Sequence, residues 1–224
     1  AHRYGCTRLA DLYQEGAAKI RLPRVARDAL PEAVTINTAG GITAGDRFSI
    51  AVQVDEDAAA VATTQACEKI YRAVPGLPDA ALDVSLRIGS GASLDWLPQE
   101  TILFDRARLR RRLDIDLAEN AAFLGCEAVL LGRTAMGETV SSIAFRDRWS
   151  VRRGGRLIFA DATRLNGERA DYRYAGSATL AGGRAFATLL RIGPDPAEMR
   201  DALRNAIAPL LRPGLDAGAS VVQD

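Results

Sequence analysis

The sequence predicts a mainly β fold of stacked strands, resembling a β-helix or layered sheets, with few helices and one of them near the C-terminus. Two features carry that prediction. Three segments share a strand-turn-strand form: FSIAVQVDEDAAAVATTQ (48–65), LDVSLRIGSGASLDWLPQ (82–99) and LDIDLAENAAFLGCE (113–127). Only one stretch, DPAEMRDALRNAIAPLLRPG, carries a full set of helix signals. With 224 residues, 48% of them apolar, the chain has ample material for a core, and nothing marks a linker, so one domain over 1–224 is expected.

The first element to justify is NTAGGITAGDRF (37–48), a glycine-rich stretch that looks at first like a phosphate loop. Asp46 and Arg47 stand where a nucleotide loop needs Lys-Ser/Thr, and Gly40, Gly41 and Gly45 have the wrong spacing for a dinucleotide turn. It reads as the turn into the first repeat unit. In that unit Phe48, Ile50, Val52 and Val54 alternate; Leu82, Val84, Leu86 and Ile88 do so in the second, and Leu113, Ile115 and Leu117 in the third. A period of two marks strands with one buried face. The turns are Asp55-Glu56-Asp57, Gly89-Ser90-Gly91 and Ala118-Glu119-Asn120, followed by Ala59-Ala60-Val61, Ala92-Ser93-Leu94 and Ala121-Ala122-Phe123, so the unit recurs after 33 and then 29 positions. A weaker fourth copy is WSVRRGGRLIFADATRL, turning at Gly154-Gly155. Units that cannot bury a face alone stack on one another. In the C-terminal stretch Asp195 reads as N-cap, Pro196 as first helical residue and Glu198 as the capping-box partner, with Pro213-Gly214 as the stop. Met199, Leu203, Ala206 and Leu210 share one face, which predicts a helix packed on the sheet.

Composition narrows the function. Basic and acidic side chains, 29 and 28, leave a formal charge of +1, which argues against a surface shaped as a whole for nucleic acid or an anionic membrane. No apolar run is long enough to span a bilayer and the start lacks a secretory h-region, so a cytoplasmic location is expected. Cys6, Cys67 and Cys126 are odd in number and far apart, which fits a reducing compartment. His2 is the only histidine, so the sequence offers no triad with an internal histidine and no His-Glu-x-x-His. RARLRRRL (106–113) holds five arginines without interleaved aromatics, and reads as a solvated strand face or a protein-interface patch.

Two carboxylates stand inside apolar runs, Glu127 in AAFLGCEAVLLG and Asp161 in LIFADATRL. A buried carboxylate must be paired, hydrated or bound to a cation. Two readings stay open: a salt bridge to one of the arginines or a solvent-facing edge, and a polar interior passage or transient cation site. Asp46 beside the glycine loop and Glu68 in TTQACEKIYRA could join such a set. A borderline cation such as nickel accepts carboxylate, thiolate and water, and without histidine it would be held weakly.

The words ADLYQEGAAKIRLPR, NTAGGITAGDRF, TTQACEKIYRA, LDWLPQETILFD and CEAVLLGRTAMGET, in this order along almost the whole chain, resemble the UreD/UreH family of urease accessory proteins. The resemblance implies a mainly β, helix-poor fold. It also implies a noncatalytic scaffold that binds apo-urease, joins UreF and the GTPase UreG in a hetero-oligomer, and helps insert nickel into urease. Tightly bound cofactors, nucleic acid and membrane are not expected; Ni²⁺ is expected only in transit, through an internal passage. Carried over residue by residue, the passage candidates are Asp46, Glu127, Asp161 and, less typical of the family, Glu68. Family members run on beyond both ends, so the resemblance implies a chain truncated at each end. A carboxylate-based enzyme and a general binding module are the alternatives.

Overall fold

The protein is described from a computed structural model over residues 1–3, 6–26, 29–168, 176 and 179–222. In chain order the strands begin with β1 (His2–Arg3), β2 (Cys6–Thr7), β3 (Ala18–Arg21), β4 (Glu32–Asn37), β5 (Arg47–Val54), β6 (Ala59–Thr64) and β7 (Glu68–Ile70). They continue with β8 (Ala80–Ile88), β9 (Ser93–Leu97), β10 (Thr101–Leu103), β11 (Arg108–Leu117) and β12 (Ala122–Leu131). The last are β13 (Ser142–Arg153), β14 (Arg156–Glu168) and β15 (Ala185–Ile192), followed by the helix α1 (Pro196–Ile207).

Two sheets enclose the core. One runs β14-β13-β11-β8-β5, parallel except for the β13–β14 hairpin. In the other, β4, β6, β9 and β12 are parallel neighbours, with β3 antiparallel on β4 and β15 antiparallel on β12. Each predicted unit therefore supplies one strand to each sheet: β5 then β6, β8 then β9, β11 then β12. The alternating residues point inward, and Leu86, Leu94, Leu113, Ile115, Phe145 and Trp149 are fully buried between the sheets. Val54 pairs with Ile88 and Ile88 with Leu117, as the alternation requires. Behind the first turn Ala59 pairs with Ser93 and not Ala92, a register one residue away from the sequence alignment of the units.

Two expectations change. The fourth copy does not cross between sheets: after Gly154-Gly155 the chain returns as β14, antiparallel to β13 in the same sheet. Both glycines have positive φ (55° and 82°), and a two-residue turn of that kind closes a hairpin directly. The helix forms where predicted, but Asp195 sits at φ 54°, ψ 53° and makes no side-chain cap. A side-chain cap needs an extended N-cap residue; here only the Asp195 carbonyl contributes, accepting the Met199 N–H. No residue of α1 is buried, so its apolar face is not packed on the sheet. Among the described residues no helix is long and apolar enough to cross a membrane, which says nothing of strands.

A strand has only two edges, and this fixes an interruption in the second sheet. Since β15 takes one edge of β12 along Phe123–Leu130, β9 and β10 must share the other, lying end to end. β6 and β7 do the same beside them, pairing with β9 and β10 in turn. Both lines break at one level, at residues 65–67 and 98–100, while β12 runs on unbroken.

The glycine loop ties off the end of this sheet. Ile42 donates its N–H to the Lys69 carbonyl and accepts from the Tyr71 N–H, both at 2.8 Å, extending the β4 line beside β7. Gly41 lies against that strand, and a Cβ there would fall 2.7 Å from the Lys69 carbonyl oxygen and inside the Tyr71 ring. Gly41→Ala is therefore expected to cost about 2–4 kcal/mol, because backbone must move. Thermal unfolding should show a large loss for it and a smaller one for Gly16→Ala, where nothing lies within 4 Å of the added Cβ.

Candidate functional site

The most unusual chemistry lies between the sheets. On β11 the inward set is Leu109, Arg111, Leu113, Ile115 and Leu117, so one arginine of RARLRRRL occupies a core position. β13 sends in Phe145, Asp147, Trp149 and Val151, and pairs Arg111 directly with Asp147. From the opposite sheet β12 sends in Phe123, Glu127 and Val129. The three ionisable side chains meet with 2%, 7% and 6% of Arg111, Asp147 and Glu127 exposed, which leaves little solvent to screen them.

Arg111 binds Asp147 through both forks, Nε to Oδ1 at 3.0 Å and an Nη to Oδ2 at 2.6 Å. Its other Nη reaches Glu127 Oε2 and, at 3.1 Å, the hydroxyl of Thr101. The indole N–H of Trp96 donates to Glu127 Oε1 at 2.8 Å, and the guanidinium lies 5.6 Å from the Phe145 ring centre. Burial by itself would lower the Arg111 pKa; the charge of Glu127 and the hydrogen bond and charge of Asp147 outweigh it, and the direction is upward. One cation faces two anions, so the cluster has an excess negative charge held by neutral donors.

An open cleft of about 1510 Å³ follows the N-terminal segment and the β5 edge and ends at this cluster, touching Trp96, Thr101, Arg111 and Glu127. It is also lined by Gln65, Cys67, Glu68 and Gln99, at or beside the two breaks in the strand lines. Glu68 shares a sheet face with Thr101, its partner in the ladder, and accepts the Asn37 amide at 3.0 Å. Burial pushes the Glu68 carboxyl above its ordinary range, against the pull of Asn37 and of Lys69. Cys126 points to the other face of β12; burial, then the Glu127 charge, raises its thiol pKa and keeps it protonated.

Of the four sequence candidates, the cleft brings together Glu127 and Glu68. Asp46 is exposed and closes the glycine turn: its Oδ2 accepts the Thr43 N–H at 2.9 Å while its own N–H returns to the Thr43 carbonyl. Asp161 is half-buried on the edge strand β14, opposite Trp149, and does not line the cleft. Among the described residues no group of three or more His, Cys, Asp or Glu stands close enough to hold a metal ion. Arg111 and Asp147 are the residues that sequence reasoning missed. Parity carried the signal for Arg111, which shares the odd-numbered apolar set of β11, as Asp147 shares that of β13.

Removing one partner from a buried ionic group leaves the others uncompensated, so Arg111→Ala is expected to lower stability by about 3–5 kcal/mol. Arg112→Ala, one position along on the exposed face, should change it by less than about 0.5 kcal/mol; chemical denaturation of the two variants tests the contrast. Glu68 gives a pH signature. A carboxyl raised on folding contributes stability that is complete in acid and is lost as pH rises through the folded pKa. Glu68→Gln keeps an acceptor for Asn37, so it should unfold at a higher temperature than the parent at neutral pH, the gain vanishing towards about pH 4. A pH-independent difference would refute the burial of this charge.

The UreD urease accessory protein model matches residues 1–224. Relatives named "Urease accessory protein UreD" include one from Chelativorans sp. (strain BNC1), 51% identical over 220 residues, covering 98% of this chain and 76% of its own. Another, from Rhizobium leguminosarum bv. trifolii (strain WSM2304), is 54% identical over 216 residues, 96% of this chain and 76% of the relative. A third, from Agrobacterium fabrum (strain C58 / ATCC 33970), is 48% identical over 96% of this chain and 72% of its own. The words quoted from the sequence fall where the fold is stitched together: NTAGG against KIYR, the strand breaks in TTQACE and LPQE, and Glu138 of RTAMGE, which accepts the Arg133 N–H at 2.9 Å. With the whole sequence matched and about half of it identical to these relatives, the chain belongs to the UreD family of urease accessory proteins.

Proposed function

We propose that this chain serves urease maturation in the cytoplasm as a noncatalytic scaffold, binding apo-urease together with UreF and UreG and passing nickel towards the urease active site. Family membership supports the role in maturation. One observation carries the passage: two adjacent strand lines break at the same level, and there the cleft meets Glu68 at a break and Glu127 at its inner end. A sheet interrupted in this way leaves room for water among side chains where unbroken strands would pack. Carboxylate and amide oxygens then replace part of the hydration shell of Ni²⁺ without the affinity that imidazole or thiolate would add.

Arg111 sets the electrostatics of that route. With both carboxylates unpaired the inner end would be strongly anionic and would retain a divalent ion; the guanidinium leaves a single excess charge. Attraction remains while release stays possible. Asp46 and Asp161 have no part in this route.

The test uses Glu127→Gln and Glu68→Gln in the full chain, produced with urease, UreF and UreG. Glu127→Gln leaves Arg111 matched one-to-one by Asp147, so folding and co-purification with the partners should persist. The nickel content of urease should fall severalfold in the double variant. Normal nickel loading with both glutamates replaced would sink the passage, whereas loss of co-purification with every partner would sink the scaffold role.

A further inference from the structure

The outward face of the five-stranded sheet carries a second charge arrangement, unrelated to the core triad. Because Arg111 points inward, Arg108, Arg110 and Arg112 point outward from β11. The ladder sets Arg110 beside Arg146 of β13, and Arg146 beside Arg164 of β14. One step along, Arg112 stands beside Arg148. Five guanidinium groups thus occupy two successive cross-strand rows. Like charges directly opposite one another in a sheet repel. Among the described residues only Arg110 of the five is matched, by both oxygens of Asp83 at 2.9 and 3.0 Å. Arg112, Arg146, Arg148 and Arg164 are exposed and have no ion pair or side-chain hydrogen bond among the described residues.

The backbone makes the same face unusual. β5, β8, β11 and β13 are parallel, and parallel sheets are generally covered on both faces. Here the core covers one face. The other shows Ala144, Ala160, Ala162 and Ser85 between the charges, small side chains that let a partner approach the arginines closely. Ser150, 1% exposed on this face, has a hydroxyl without a hydrogen-bond partner among the described residues.

We infer that this face is a docking surface for an acidic protein surface, whose Asp and Glu side chains would enter the gaps between the arginine rows. Guanidinium forks match carboxylates in bidentate geometry, as Arg110 does with Asp83. A nucleic acid fits less well. Beyond the two rows β11 presents Asp114, set between Ser85 and Ser150, and then Asp116, set between Arg87 and Arg152, so acids interrupt the basic run along the strand, and the paired outward positions of β11, β13 and β14 offer no aromatic ring for base stacking. Basic rows with acids interspersed among them match the mixed pattern of a protein interface.

The full chain would be titrated against a fluorescent polyglutamate peptide, and separately against a DNA duplex of similar charge, at low and raised salt. The variant is Arg112→Ser/Arg146→Ser/Arg148→Ser/Arg164→Ser. It should weaken peptide binding at low salt by about tenfold or more, and added salt should weaken binding by the parent chain. Relief of the facing positive charges should also leave the variant at least as resistant to heat, which separates lost binding from lost folding. Equal peptide affinity of parent and variant would overturn the inference, and so would duplex binding tighter than peptide binding through the same four arginines. Arg112 borders the cleft that holds Glu68 and Glu127, whereas Arg146, Arg148 and Arg164 do not, so Arg146→Ser/Arg148→Ser/Arg164→Ser should also weaken peptide binding while leaving the nickel content of urease unchanged.

Discussion

Everything between the two sheets is arranged around a guanidinium that is 2% exposed, at the edge of a cleft. Arg111 holds Asp147 within its own sheet and Glu127 across the core, so two layers that otherwise meet through apolar contacts are also joined by directional bonds. Alternation by itself excludes a slip of one residue but leaves the same face buried after a slip of two; a bidentate pair between neighbouring strands excludes both. The cluster fixes the level at which β11, β12 and β13 stand relative to one another. Its energetic worth is not simple, since burying three charges costs about as much as their attraction returns. Its effect is to make a single arrangement better than the near alternatives.

That level is also where the second sheet is broken. β6 gives way to β7, and β9 to β10, beside an uninterrupted β12, and the bare stretches are bordered by Thr101, Gln99 and Glu68. The cation path proposed above rests on this placement of the cluster, behind a gap in a sheet and open to a cleft. The glycine loop supports the far side of this gap, because Asn37 donates one amide nitrogen both to the Gly41 carbonyl at 3.2 Å and to Glu68. A stretch that resembles a phosphate loop in composition thus positions a carboxylate.

The two faces of β11 show how one run of arginines can serve two ends. Inward, a single guanidinium is saturated by two carboxylates, a hydroxyl and a ring. Outward, its neighbours on either side stand in rows with too few anions to match them. The formal charge of +1 hides this polarity completely, since acids elsewhere on the surface cancel it in the sum.

The sequence by itself determined the strand-turn-strand units, the single C-terminal helix, and the anomaly of Glu127 in an apolar run, because periodicity and the cost of burying charge are local properties. It determined as well that Gly40-Gly41 form a turn and not a phosphate loop. Only the tertiary structure decided what surrounds each charge. Asp46 and Glu127 look alike as acids beside apolar residues, yet one closes an exposed turn and the other meets Arg111 from the opposite sheet. Whether a carboxylate is paired, solvated or aimed into a cleft depends on residues brought alongside by strand register, and register is set by the packing of the whole sheet. The helix shows the same limit from the other side: its amphipathic pattern is legible in 196–207, but that pattern cannot say whether anything within the chain will cover it. Local spacing fixes which face of an element a residue occupies, and the fold alone fixes what stands opposite that face.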